Sequence, residues 1–339
     1  MDSNVSKNTN SHNFFKLEVK REKLGISIKN LLKQELLLIL NLYQQKFNVR
    51  IEQNYFASIL DTKISISNHK DRSLKQKDSI TSLAKIKLTP IVYSCPIGLL
   101  LAANQSHALQ IVMQQIGQLL SSNHENADLK LPSISIEIVD RGWINFYLDS
   151  KFIAIWLEQL LAWHRRAIIN DREPAQREIC SLENTPANLF PVQYMHARCC
   201  SLLNLGAREN LIGLSIDSAW IIEPIAMKTF FWRNEQNTLW LTEPAERNLL
   251  QQLLIVADSW VEEISDREVW TECNRQWSKL ALDLSQATAI FLADCRFLGE
   301  VKQRYPQRAI ARLGLIALVQ LWLKKILNEK LCVAAPKSL

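Results

Sequence analysis

The sequence predicts a mainly α-helical protein, with a small α+β domain ahead of a C-terminal helical bundle. Three observations predict it. Apolar residues recur at helical spacing through most of the second half. The clearest strand signal, the alternation of Ile134, Ile136 and Ile138 with Ser135 and Glu137, is confined to the first half. Gly 8 and Pro 10 are few for 339 residues, which disfavours glycine-rich loop architectures. A length of two ordinary domains accommodates a polar N-terminus over 1–25, an α+β domain over 26–163, a linker over 164–190 and a bundle over 191–339.

The elements follow in order. Residues 1–13, MDSNVSKNTNSHN, are polar, lack the apolar core of a signal peptide and are expected to be disordered. Over 26–47, Leu31, Leu32, Leu36, Ile39, Leu40 and Tyr43 follow helical spacing. Residues 61–82 carry Lys63, Lys70, Arg72, Lys75 and Lys77, the composition of a mobile basic loop, with an RNA-binding arm as the competing reading. A helical region spans 96–120 and a connector 121–132. After the Ile134–Ile138 alternation, Asp140, Arg141 and Gly142 form a turn in which Gly142 is free to take positive φ. In the next strand Ile144, Phe146 and Leu148 face the core, while Trp143, Asn145 and Tyr147 share the opposite face. Two large aromatics and an amide are unusual for a purely solvated surface.

Residues 151–163 read as a helix and 165–188, charged and uneven, as the inter-domain linker. Pro191 suits the first turn of a helix running to about Leu205, with Gly206 as its stop. Thr242 caps a helix with Pro244 in its first turn and Leu250, Leu253, Leu254, Ala257, Trp260 and Val261 on one stripe. Leu280, Leu284, Ala287, Ile290 and Phe291 mark another helix, ending near Gly299. The last helix starts after Pro306 and is apolar almost all round from Leu313 to Leu323, which places it at the bundle centre.

A net charge of +6 permits contact with nucleic acid without establishing it. Seven cysteines, an odd number with no CxxC pair, point to buried thiols in a reducing compartment rather than to disulfides or zinc. The longest apolar run, LGLIALVQLWL, is shorter than the roughly 20 residues of a membrane span, so a cytoplasmic protein without membrane contact is expected. No P-loop or GxGxxG occurs.

Two motifs carry a resemblance. IEIVDRGWINF, residues 136–146, resembles the segment that closes the N-terminal additional domain of arginyl-tRNA synthetases, a pattern of the type v-e-I-x-x-P-G-F-I-N-F. VQYMHARCCSLL, residues 192–203, resembles the opening of their anticodon-binding DALR bundle, V-Q-Y-A-H-A-R-x-x-S-I, with Gln193, Tyr194, His196, Ala197, Arg198 and Ser201 in agreement. ARLGLIALVQLWLKKIL and VAAPKSL are similar to that bundle's last helix and tail. The departures are Arg141 for the proline, Trp143 for the phenylalanine, and the absence of HxGH and of a KMSKS-like loop. Between Asp149 and Pro191 there is no room for a nucleotide-binding domain, since one βαβ unit already takes about 30 residues.

The resemblance implies a tRNA-binding relative of an enzyme, recognising an arginine tRNA and without catalysis of its own. It implies no cofactor, ATP entering only if the family's arginine–tRNA ligase activity were retained. The implied contact residues are Asp140, Trp143 and Asn145 for a D-loop nucleotide, and Gln193, Tyr194 and Arg198 for the anticodon side. The residues themselves leave alternatives open. Tyr194, Ala197, Arg198 and Ser201 form one helical stripe, either an RNA face or a tie between helices. Trp143 either stacks on a base or packs on a helix. His196 reads as structural. An accessory subunit beside a separate catalytic chain, a partner synthetase or other translation protein, and a protein-interaction module remain competing readings of the whole chain.

Overall fold

The computed structural model describes residues 26–49, 64–66, 91–105, 109–122, 134–139, 142–170, 189–213, 232–236, 238–262 and 270–339. The N-terminus read as disordered, most of the connector over 121–132 and the later part of the linker, 171–188, lie outside the described residues. The chain divides into two compact units, Ile28–Ile153 and Ala154–Leu339, the second including the residues up to Ser27.

The first unit holds α1 (Ile28–Phe47), β1 (Ser65–Ile66), β2 (Ile91–Cys95), α2 (Ile97–Gln105), α3 (Leu109–Ser122), β3 (Ile134–Val139) and β4 (Trp143–Leu148). The strands form one antiparallel sheet in the order β1-β2-β4-β3. Register follows the alternation: Phe146 lies between Tyr93 and Ile136, and Asn145 between Ser94 and Glu137. As expected, Ile144, Phe146 and Leu148 are buried, joined by Ile91, Tyr93 and Cys95 of β2. Helix α1 buries Ile28, Leu32, Leu36, Ile39, Leu40 and Tyr43, and the Tyr43 hydroxyl donates to Gln115 Oε1 of α3 at 2.7 Å. Leu31 is only half-buried; Ile28 takes the place expected of it. Gly142 has φ +83, and a Cβ there would lie 2.8 Å from the Leu99 nitrogen, so the approach of this turn to α2 requires glycine.

Of the segment read as a basic loop, residues 64–66 are described and contribute β1, with Ile64 buried beside it, while Lys63, Lys70, Arg72, Lys75 and Lys77 lie outside the described residues. The helical region expected from 96 is present as α2 and α3. It is preceded by a strand, β2, that periodicity missed. IVYSC is buried at all but Ser94, a continuous run without alternation.

The second unit comprises α4 (Ser150–Asn170) from Ala154 on, α5 (Phe190–Arg208), α6 (Pro244–Glu262), α7 (Trp270–Asp294), α8 (Glu300–Arg304) and α9 (Pro306–Lys325), the last passing into a π-helical turn, Ile326–Lys330. Every residue of α9 from Ala309 to Leu323 is buried, the central position its composition predicts. Trp322 stacks on Trp163 of α4 at 5.6 Å and meets Trp260 of α6 at 5.5 Å, which in turn meets Trp277 of α7 at 5.4 Å. Lys325 and Lys330 cap this cluster, their ammonium groups 5.0 and 4.5 Å from the Trp260 ring. Trp156 Nε1 donates to the Ile26 carbonyl at 2.9 Å, and Ser27 Oγ to Asp258 at 2.8 Å.

The boundaries differ from expectation where tertiary contacts decide them. Helix α4 continues to Asn170 rather than giving way to a linker at 164, because Trp163 and His164 are buried against Trp322. Gly206 does not stop α5: it is a buried close-approach site, where a Cβ would lie 2.8 Å from Leu313 Cδ1. Thr242 does not cap α6. The Glu243 amide, one residue before the helix, donates to Glu246 Oε2 at 2.7 Å, and Thr242 Oγ1 accepts from Arg308 at 3.3 Å. Ile290, expected in the core, is exposed. Cys95, Cys199, Cys200 and Cys295 are buried free thiols, whereas Cys332 is exposed; no group of metal-binding side chains occurs among the described residues. None of the described helices is long and apolar enough to cross a membrane.

Candidate nucleic-acid interface

Helix α5 has two working sides. One is turned inward to the segment after the π-helical turn. Gln193 Nε2 donates to the Ala334 carbonyl at 2.9 Å. His196 Nδ1 lies 2.7 Å from the Pro336 carbonyl, and Gln320 Nε2 lies 2.9 Å from His196 Nε2. A carbonyl on Nδ1 and an amide N–H on Nε2 fix a neutral ring that donates from Nδ1. Burial pushes the pKa of His196 down, in keeping with that state. His196 is therefore a structural ring, and the Gln193 amide is engaged with backbone.

The other side faces solvent. Tyr194 is 43% and Phe190 62% exposed, large values for aromatic rings, and the two stack at 6.2 Å. Arg198, one turn on, donates from Nη1 to the Tyr194 hydroxyl at 3.1 Å. The stripe runs into a groove of about 310 Å³, lined by Arg198, Leu202 and Leu205 of α5 and by Leu292 and residues 295–299 after α7. Its lining residues include two arginines, Arg198 and Arg296, and no aspartate or glutamate. Cys295 is buried there, its thiol pushed up to about 11 by that burial. Aromatic rings, free guanidinium donors and an apolar recess are the equipment for stacking an unpaired base while holding its phosphate.

Residues 192–337 match the family described as DALR anticodon binding domain. They form a DALR anticodon binding domain. The chain is also 30% identical over 129 residues to Arginine--tRNA ligase of Gloeobacter violaceus, a match covering 38% of this chain and 18% of that protein. The chain thus spans less than a fifth of the length of that relative. No solved structure matches. The DALR domain contains Gln193, Tyr194 and Arg198, and the structure puts Tyr194 and Arg198 together on its solvent side. Phe190, Arg296 and Phe297 were missed by sequence reasoning. Phe190 was within reach, four residues before Tyr194; the other two were not, because only tertiary structure brings them beside α5.

In the first unit, Trp143 is 38% exposed on β4. Asn145 is buried, with Ser94 Oγ donating to its Oδ1 at 2.7 Å and its own Nδ2 donating to Tyr147 Oη at 3.4 Å. Tyr147 in turn donates to Glu137, a bond that holds its phenol pKa up. Trp143 and Asn145 share a face, with the indole as its open surface. Asp140 lies outside the described residues.

Proposed function

We propose that this chain binds an arginine tRNA in a cytoplasmic setting and has no aminoacylation chemistry of its own. The observation that carries the proposal is the Phe190–Tyr194–Arg198 stripe ending in a groove with two arginines. In this reading Tyr194 stacks on an unpaired anticodon-loop base. Arg198, with one donor spent on Tyr194, offers the rest of its planar fork to phosphate. The apolar groove receives a second splayed base, and Arg296 neutralises the backbone at its rim. Trp143, with Asn145 and Asp140 alongside it in sequence, supplies a separate contact to a D-loop nucleotide. The similarity to an arginine–tRNA ligase supports arginine tRNA as the partner. The missing HxGH and the short interval between Asp149 and Pro191 support catalytic silence.

Filter binding of an arginine tRNA transcript against a non-cognate transcript, alongside arginine-dependent ATP–pyrophosphate exchange, tests this. Selective binding without exchange is expected. Equal affinity for both transcripts removes the arginine assignment, and robust exchange from this chain alone removes the non-catalytic one.

A further inference from the structure

The groove has a support of unusual construction. Arg312, in the middle of the apolar helix α9, pairs with Glu246 of α6 through Nε at 2.6 Å, with side chains 5% and 0% exposed. The second Glu246 oxygen accepts the Glu243 amide at 2.7 Å. Arg312 Nη1 donates to the backbone carbonyl of Arg296, which stands in the wall of the groove. One side chain thus ties the start of α6 and the segment after α7 to the central helix.

A pair sealed this deeply is a poor device for stability alone. Desolvation of two charges offsets most of their attraction, and well-packed apolar replacements of such pairs are often neutral or stabilising. Every neighbour of Arg312 along α9 from Ala309 to Leu323 is buried, and most are apolar. What an apolar side chain lacks at this position is a donor directed at the loop backbone. A lysine, with one compact ammonium group, lacks the geometry to serve carboxylate and carbonyl together.

We propose that Arg312 is a positioning residue for RNA recognition: through Glu246 and the Arg296 carbonyl it fixes residues 295–299, and so sets the shape of the groove beside Arg198. The proposal rests on the reading of the groove as a base-binding site. It separates the arginine that touches RNA, Arg198, from one that never does.

Two variants test it, Arg312→Lys and the neutral pair Arg312→Met with Glu246→Gln, the glutamine keeping an acceptor for the Glu243 amide. Three quantities are measured: the thermal melt, the rate of thiol modification at Cys295 resolved by peptide mass, and affinity for a synthetic anticodon stem-loop of an arginine tRNA. The double variant is expected to melt cooperatively near wild type. Its Cys295, now behind a loosened wall, is expected to label faster. Its affinity is expected to drop about tenfold or more, the share that one stacked base contributes. Arg312→Lys keeps the charge but not the fork, and is expected to show the same faster labelling and weaker binding. Folded variants with wild-type labelling and wild-type affinity overturn the proposal, and so does loss of the cooperative melt in both, which makes Arg312 a residue of the fold only. If the wild type itself binds no stem-loop, the base-binding reading fails, and Cys295 labelling alone decides whether Arg312 sets the wall.

Discussion

Tyr194 and Arg198 stand exposed on the solvent side of α5, bonded to each other. Each of the two is expected to matter to RNA and little to the fold. Tyr194→Ala should cost about 1–3 kcal/mol of tRNA affinity, the range for one base–aromatic stack, with an unchanged melting curve. Wild-type affinity in both Tyr194→Ala and Arg198→Ala, measured by fluorescence titration, removes the stripe from the interface. His164 carries the opposite lesson. Its Nε2 has no hydrogen-bond partner among the described residues, and burial, reinforced by Lys325, holds its pKa down to about 3. Below its ordinary value near 6.5 the unfolded chain takes up a proton that the folded ring refuses. The contribution of this neutral ring to stability is therefore complete above about pH 6.5 and declines as pH falls towards about 3, by up to about 1.4 kcal/mol per pH unit. His164→Phe keeps an aromatic ring against the edges of Trp163 and Trp322 and should show a shallower loss between about pH 7 and about pH 5 in urea denaturation; an identical pH profile in both proteins defeats the assignment. The sequence displayed Tyr194 and Arg198 because their spacing puts them on one stripe. It hid His164, which looks like the first residue of a charged linker until Trp322 is placed against it.

Helix ends were less legible than helix faces, for a physical reason: a face is written in periodicity, whereas an end is settled by what packs there. Gly206 reads as a stop signal in sequence, yet serves to let α5 approach Leu313 of α9. Gly206→Val should therefore destabilise the protein by about 1–3 kcal/mol through overpacking, read from chemical denaturation. A neutral result means that the two helices have room to separate. The same limit explains β2, a buried strand without alternation, and the start of α6, where Glu246 rather than Thr242 satisfies a free amide. The turn at Gly142 and the core face of β4 were legible because a positive φ and a period of two leave local marks.

At the scale of the whole molecule the basic excess is modest, and its placement decides what it does. If about four to six lysine or arginine contacts to phosphate hold the RNA, affinity should fall with a log–log salt slope of roughly −3 to −4. A flat response assigns the charge to solubility. If both units engage one tRNA, full-length tRNA should bind far better than an isolated anticodon stem-loop, because the second contact is intramolecular. Equal binding of the two RNAs, measured side by side, confines recognition to the DALR domain.

The burial of α9 on every side has a bearing on how the chain comes into being. Helix α5 leaves the ribosome first, and His196 waits for Gln320, 124 residues later, a delay of roughly 6–25 s at ordinary synthesis rates of about 5–20 residues per second. Through that interval Val192, Cys199 and Leu203, all fully buried in the finished fold, have no central helix to cover them. When α9 emerges it is apolar almost all round and has no solvent-tolerant face of its own. The nascent bundle is thus expected to be prone to aggregation until α9 docks, a hazard set by a helix that solvent barely touches afterwards.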